Sequence, residues 1–218
     1  MISLHKFTFN AFSENTYLIW DESGKAVAID PGMSNRTEEE QFMDVLESND
    51  LELEYIFLTH AHLDHVMGNR FLKDRYNVPI IAHPDSKEVL KMSEPAAKMY
   101  GIPFDASPEI DEWLNVEEGF SFGETHLELR FVPGHAPGHV VIVDHEGEQV
   151  IGGDVLFDGS VGRVDLPGGD GPLLARCIQE QMYTLPDEYV VYCGHGPETT
   201  IGKEKFSNPF VTADRSIL

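Results

Sequence analysis

Cysteine is nearly absent from this chain: Cys177 and Cys193 are the only two among 218 residues. Two cysteines so spaced exclude a disulfide framework and a zinc knuckle, and leave both thiols as small buried hydrophobes. Basic residues are also scarce, with 15 Lys and Arg against 38 Asp and Glu, a formal charge of −23. Such a surface repels phosphate backbones and anionic lipid, so neither nucleic acid nor membrane is an expected partner. No run of about 18 apolar residues is available to cross a bilayer. The start, "MISLHKFTFN", lacks a basic segment followed by an apolar run. The expectation is a cytoplasmic protein without a secretory signal.

What the chain does have is concentrated in "LTHAHLDH", where three histidines and an aspartate fall between His60 and His65. Residues two apart in extended backbone project the same way, so His60 and His62 can address one cation. Asp64 and His65 are expected at the start of the following helix, displaced toward a neighbouring position. Imidazole and carboxylate suit Zn, Fe or Mn, and not a thiolate site. Further candidates stand at the ends of expected strands: His135 after "RFVPG", Asp154 after "VIGG" and His195 after "VVYCG". Each follows a glycine, which lets the backbone turn sharply and bring a side chain beside its neighbours. A carboxylate such as Asp154 can bridge two cations about 3.5–4 Å apart.

Alternation predicts a strand over residues 2–9 and two more around the Ser23-Gly24 turn, an antiparallel meander. Thr37 with Glu40 reads as a capping box for a helix carrying Phe42, Val45 and Leu46 and ending near Asn49. "EYIFLTH" reads as a short strand, Val66, Met67, Phe71 and Leu72 as a helix, and "VPIIAH" as a buried strand. A helix follows from about Asp85. The stretch from Ser93 to Asp111 holds three prolines and a glycine and reads as a broken-helix excursion or lid. Strands resume in "THLELRFVPG", "HVVIVDHEG" and "QVIGGDV". A helix over about residues 171–185 leads to "EYVVYCGHG" and a short charged tail. Antiparallel runs punctuated by helices suggest two packed sheets with helices outside, in one domain over residues 1–218.

Two alternative motifs fail. "GPETTIGK" has five residues between its glycines, and Glu204 stands where a phosphate loop needs Ser or Thr. "DGSVG" has Asp158 where a serine elbow needs glycine.

The residues His60-Ala-His62-Leu-Asp64-His65, His135 in "PGHAPGH", Asp154 in "GGDVLF" and His195 in "GHGPETT" resemble the metallo-β-lactamase superfamily. "GGDVLFDGSVGRVDLPGGD" and "GHGPETTIGKEKFSNPF" are similar to its glyoxalase II branch, the short bacterial hydroxyacylglutathione hydrolases. The resemblance implies an α/β αββα sandwich of two mainly antiparallel mixed sheets, with the metals at one edge. It implies His60, His62 and His135 around one divalent ion, Asp64, His65 and His195 around a second, and Asp154 bridging. The ions are expected to be Zn, with Fe or Mn as alternatives. Asp64 would orient the attacking water, Asp30 in "AIDPG" would orient an imidazole, and Arg163 would meet a substrate carboxylate. His139 falls near the same motifs without an assigned role.

The implied activity is hydrolysis of a small-molecule thioester such as S-lactoylglutathione by a metal-bridged hydroxide, in a monomer or homodimer. A mononuclear iron enzyme of the persulfide dioxygenase type and a hydrolase of another ester share the motifs. Two departures stand out. Full-length glyoxalase II enzymes add a helical C-terminal domain that holds glutathione, whereas 23 residues follow His195 here. No cysteine occupies the seven metal positions, unlike lactamases with a thiolate ligand.

Overall fold

A computed structural model describes residues 2–218. The first sheet has the order β1 (Ser3–Phe9), β2 (Glu14–Trp20), β3 (Lys25–Ile29), β4 (Glu52–Phe57), β5 (Ile80–Ala82), β6 (Glu112–Trp113). Its first three strands form the expected meander, and β3 to β6 run parallel. The second sheet contains β7 (Phe120–Phe122), β8 (Thr125–Phe131), β9 (Val140–Asp144), β10 (Gln149–Gly153), β13 (Val190–Cys193) and β14 (Thr199–Thr200). It is antiparallel except where β10 meets β13. A small hairpin, β11 (Leu156–Phe157) with β12 (Ser160–Val161), lies apart.

Strands buried on both faces read as continuous apolar runs, and β3 and β9 are of this kind. Val27 and Ile29 meet Val140 and Ile142 between the sheets, together with Tyr17, Phe57, Phe120 and Leu129. Ala26 and Ala28 face the other way, toward α1 (Arg36–Ser48), α2 (Asn69–Tyr76) and α3 (Ser86–Tyr100), where Phe42, Leu72 and Val89 close the outer layer. Val141, Val143 and Val191 similarly receive Leu174 and Ala175 of α4 (Gly171–Cys177). Four layers result, helix, sheet, sheet, helix. Among the described residues no helix is long and apolar enough to cross a membrane.

Several local expectations are corrected. The Thr37–Glu40 capping box does not form. Asn35 caps α1, accepting from the Thr37 and Glu38 amides, and Glu40 instead pairs with Arg36 one turn back. Asp64 and His65 do not open a helix but sit in a 3-10 turn, Leu63–His65, before α2 begins at Asn69. The segment from Ser93 is not broken: α3 continues through Pro95 to Tyr100, and irregular chain begins at Gly101. Proline removes one helical hydrogen bond. Buried Val89, Ser93 and Ala97 hold the helix on the core across that gap, and Ser93 Oγ donates to the Ala61 carbonyl at 3.2 Å. The last long helix changes after α4 into a π-turn, Ile178–Met182. The tail contributes β14 and α5 (Ile201–Ser207). The short strands β6, β7, β11 and β12 have too few residues to show a period.

Candidate metal centre

β3, β4, β10 and β13 end at one edge of the sandwich, and the polar cluster sits on the chain that leaves them. Asp30 follows β3; His60 and His62 lie beyond β4; Asp154 follows β10; His195 lies beyond β13. His135 comes from the loop between β8 and β9. Two glycines are required by geometry. Gly153 has φ +48°, and a Cβ there would lie 2.4 Å from Thr59 Oγ1. A Cβ on Gly194 would lie 2.1 Å from Asp154 Oδ1.

All seven sequence-selected residues converge. His60, His62 and His135 form one group and Asp64, His65 and His195 another, the atoms within each lying within 4.8 Å of one another. His62 Nδ1 and His135 Nε2 face each other at 2.9 Å. Asp154 lies between the groups: its Oδ1 is 3.5 Å from His65 Nε2, and its Oδ2 is 3.5 Å from both His135 Nε2 and His195 Nε2. Asp64 Oδ2 completes the second group, 3.2 Å from His195 Nε2 and 3.6 Å from His65 Nε2.

The rings are held from behind. His60 Nδ1 faces Thr59 Oγ1 at 3.1 Å, His65 Nδ1 faces Asp30 Oδ2 at 3.2 Å, His135 Nδ1 faces the Arg163 carbonyl at 2.7 Å, and His195 Nδ1 faces the Phe12 carbonyl at 3.2 Å. Each contact turns the other ring nitrogen inward, the arrangement that sets tautomer and direction for metal-binding imidazoles. Asp30 serves two rings. Its Oδ2 also accepts from Thr59 Oγ1 at 2.5 Å and its Oδ1 from the Thr59 amide at 2.7 Å. Asp30 also joins His60 and His65 in a third compact group. Because it meets the outward nitrogen of His65, it orients the ring from behind.

Burial favours neutral imidazole and disfavours carboxylate, and the outcome differs across the cluster. His60 is held well below the usual histidine range by burial and by the neighbouring His65 charge. Burial and His135 press His62 down to about 3. For His195 burial acts in the same direction, but hydrogen bonds to Asp154 and Asp64 prevail and raise it to about 10. His65 likewise overcomes burial through Asp64 and Asp154 and lies well above its ordinary value. Burial alone would raise Asp154; the His65 charge and the His195 hydrogen bond hold it well below the usual carboxylate range.

These residues fit divalent cations. His60 Nε2, His65 Nε2 and Asp154 Oδ1 are buried polar atoms without a hydrogen-bond partner. Leaving such atoms unpaired is costly, and a cation in their midst satisfies them. The donor set is nitrogen and oxygen only, suited to Zn, Fe or Mn.

Two supports, Thr59 and Glu14, were not selected from sequence, and a third, His139, had no assigned role. Thr59 has no signal beyond preceding His60. Glu14 is fully buried, with Oε2 accepting from Thr16 at 2.8 Å and Oε1 3.8 Å from His65 Nδ1, and burial raises its pKa well above the ordinary value. His139 stacks on His60 at 4.7 Å and accepts the Asp154 amide on Nε2 at 3.0 Å. Arg163 sends its guanidinium to Asp165, at 2.7 and 2.8 Å, in a largely exposed pair.

The metallo-beta-lactamase superfamily profile matches residues 10–195. A hydroxyacylglutathione hydrolase, GloC of Haemophilus influenzae, is 39% identical over 210 residues, covering 93% of this chain and 95% of that protein. The crystal structure of TTHA1623 in a di-iron-bound form superimposes with a TM-score of 0.84 at 36% identity, over 94% of this chain and 98% of that one. That of the BLEG-1 B3 metallo-beta-lactamase gives 0.87 at 31%, over 96% and 100%. With fold, edge-of-sheet cluster and sequence in agreement, this chain belongs to the metallo-beta-lactamase superfamily, as one of its metallo-hydrolases.

Proposed function

We propose that the protein is a thioester hydrolase of the glyoxalase II type, with two divalent cations held by His60, His62, His135, Asp64, His65, His195 and the shared Asp154. The observation that carries this reading is the Asp154 carboxylate, which faces His135 on one side and His65 and His195 on the other. A carboxylate so placed can offer one oxygen to each of two cations. Bound cations at this edge would supply Lewis acidity toward a carbonyl oxygen and a water nucleophile at neutral pH.

The chain's own residues do the rest. Asp64 has one carboxylate oxygen on His195 and stands at the partly open side of the cluster. From there it orients the attacking water and accepts its proton. Asp30, through Thr59 and His65, keeps the imidazoles from rotating out of register. Arg163 is placed by its own carbonyl, which anchors His135, so its side chain leaves the cluster rim and can exchange Asp165 for a substrate carboxylate. The 39% identity to a hydroxyacylglutathione hydrolase supports an acylated glutathione as substrate.

The test is S-lactoylglutathione hydrolysis, followed as free thiol release, alongside metal content. Two metals per chain with thiol release are expected, and Asp64→Asn should lower turnover by far more than it lowers stability. Equal activity in that variant removes Asp64 from its role. One iron per chain with oxygen uptake on glutathione persulfide would replace this reading by the mononuclear dioxygenase one.

A further inference from the structure

The turn between β1 and β2, residues 10–13, reaches the cluster from a distant part of the chain, and its contacts fall on one of the two donor groups. Asn10 stands half-buried at φ +51°, a left-handed conformation that asparagine tolerates. Each polar atom of this residue has a partner. Its Nδ2 donates to the Asp64 carbonyl and to the Gly32 carbonyl, both at 2.9 Å, and its Oδ1 accepts from the Phe12 amide at 2.9 Å. The last is the bond an asparagine makes to its own backbone two residues on. The Asn10 amide donates to Glu38 Oε1 at 3.0 Å, and its carbonyl accepts from the Ser13 amide at 3.3 Å. Glu38 lies in the first turn of α1, where its Oε2 accepts from the Ser34 amide at 2.6 Å. The β1–β2 turn is therefore tied both to α1 and to the metal-binding turn.

These contacts close a circuit. Asp64 Oδ2 faces His195 Nε2 at 3.2 Å, His195 Nδ1 meets the Phe12 carbonyl, the Phe12 amide donates to Asn10, and Asn10 returns to the main chain of Asp64. One side chain thereby sets the separation of two residues that arrive from different sheets, Asp64 beyond β4 and His195 beyond β13. The chain on either side of His195 is itself held by Asn15, whose Nδ2 donates to the Cys193 and Gly196 carbonyls at 2.9 and 2.8 Å. His60 and His135 take their rear contacts from Thr59 and the Arg163 carbonyl instead. The residue type follows from the circuit, because a carboxamide offers two donors and an acceptor in one plane. An aspartate of the same size would set oxygen against two carbonyls. Glycine would keep the left-handed backbone and delete all three side-chain bonds.

We infer that Asn10 is a positioning residue, which holds Asp64 and His195 face to face and so builds the second cation position separately from the first. For its metal consequence this rests on the paired-cation reading. For its effect on the His195 ring it rests on the hydrogen-bond circuit alone.

The experiment compares Asn10→Gly and Asn10→Asp with the wild type and with Asn77→Gly, an exposed asparagine at φ +53° that ends α2. Zn affinity of each equivalent is measured by competition with a chelator, below the melting temperature of every variant. In stripped protein the His195 Nδ1 proton is followed by NMR and assigned by its absence in His195→Asn. Both Asn10 variants should weaken the second equivalent by about 10–100-fold, the range for an outer partner of a metal ligand, with the first unchanged. The imidazole proton should be lost to exchange in both. Asn77→Gly should alter neither readout. An imidazole proton that persists in Asn10→Gly, a second equivalent of wild-type affinity in either Asn10 variant, or equal weakening of both equivalents overturns the positioning role. A wild type that takes up a single Zn removes the paired-cation reading, and the imidazole proton then decides for or against Asn10 by itself.

Discussion

The group formed by His60, His62 and His135 is built of imidazoles, whereas Asp64, His65 and His195 set carboxylate against imidazole. The first group stays neutral: burial, with repulsion from neighbouring imidazoles including His65, depresses all three histidines, His62 to about 3. The second holds its protons, with His195 raised to about 10 against the opposing effect of burial. A cation entering the first group meets free lone pairs. One entering the second must displace protons. The two donor groups, with Asp154 between them, are thereby made unequal by their neighbours alone.

The largest expected effect comes from removing what the groups share. Asp154→Ala should lower metal content at both positions and reduce turnover beyond the roughly 100-fold upper end typical of an outer-shell residue. Loss of only one metal equivalent would show that the carboxylate belongs to one side. Asp30→Ala should cost about 10–100-fold in metal affinity or activity, because His60 and His65 both lose their rear support. Since it supports His65 directly and His60 through Thr59, its effect should fall on both equivalents when each is measured by competition with a chelator.

Acid should separate the two groups. Between pH 7 and pH 5 the second equivalent should weaken by up to about tenfold per unit for each proton displaced. The first should hold, because His62 stays neutral down to about pH 3. In protein stripped of metal the signs of the stability effect are opposite. His195, raised from 6.5 to about 10, contributes stability that is full below 6.5 and is lost as pH rises through about 10. His62, lowered from 6.5 to about 3, contributes stability present above 6.5 and lost as pH falls toward 3. Melting curves of His195→Asn and His62→Asn across that range would display the contrast; parallel curves would remove it. The smallest effect lies outside both groups. Asn35→Ala should cost about 1 kcal/mol of stability by removing the α1 cap, with metal content unchanged.

The histidines and aspartates proposed to hold metal were legible in the sequence because they crowd into one turn or stand beyond strand ends, three of them after a glycine that permits the turn. His60, His62, Asp64, His65, His135 and His195 come together in two groups, with Asp154 between them. The layers were legible too, since β3 and β9 are apolar on both faces. What holds the rings was not. Carbonyls such as those of Phe12 and Arg163 have no sequence signature, and Glu14 and Thr59 act only because distant strands bring them under the cluster. The cap of α1 was displaced by two residues because Asn35 and Thr37 are both competent caps, and the backbone bends at Asn35. α3 passes through Pro95 because tertiary anchoring at Ser93 and Ala97 outweighs a local breaker. Sequence shows which groups can do chemistry; packing decides which nitrogen faces the metal.

The most direct test is a titration of the stripped protein with Zn at pH 7, wild type beside His195→Ala, counting equivalents by elemental analysis. Two equivalents in the wild type and one in the variant are predicted, the retained ion being the one that survives at pH 5. A single equivalent in the wild type, untouched by the substitution, would contradict a paired centre.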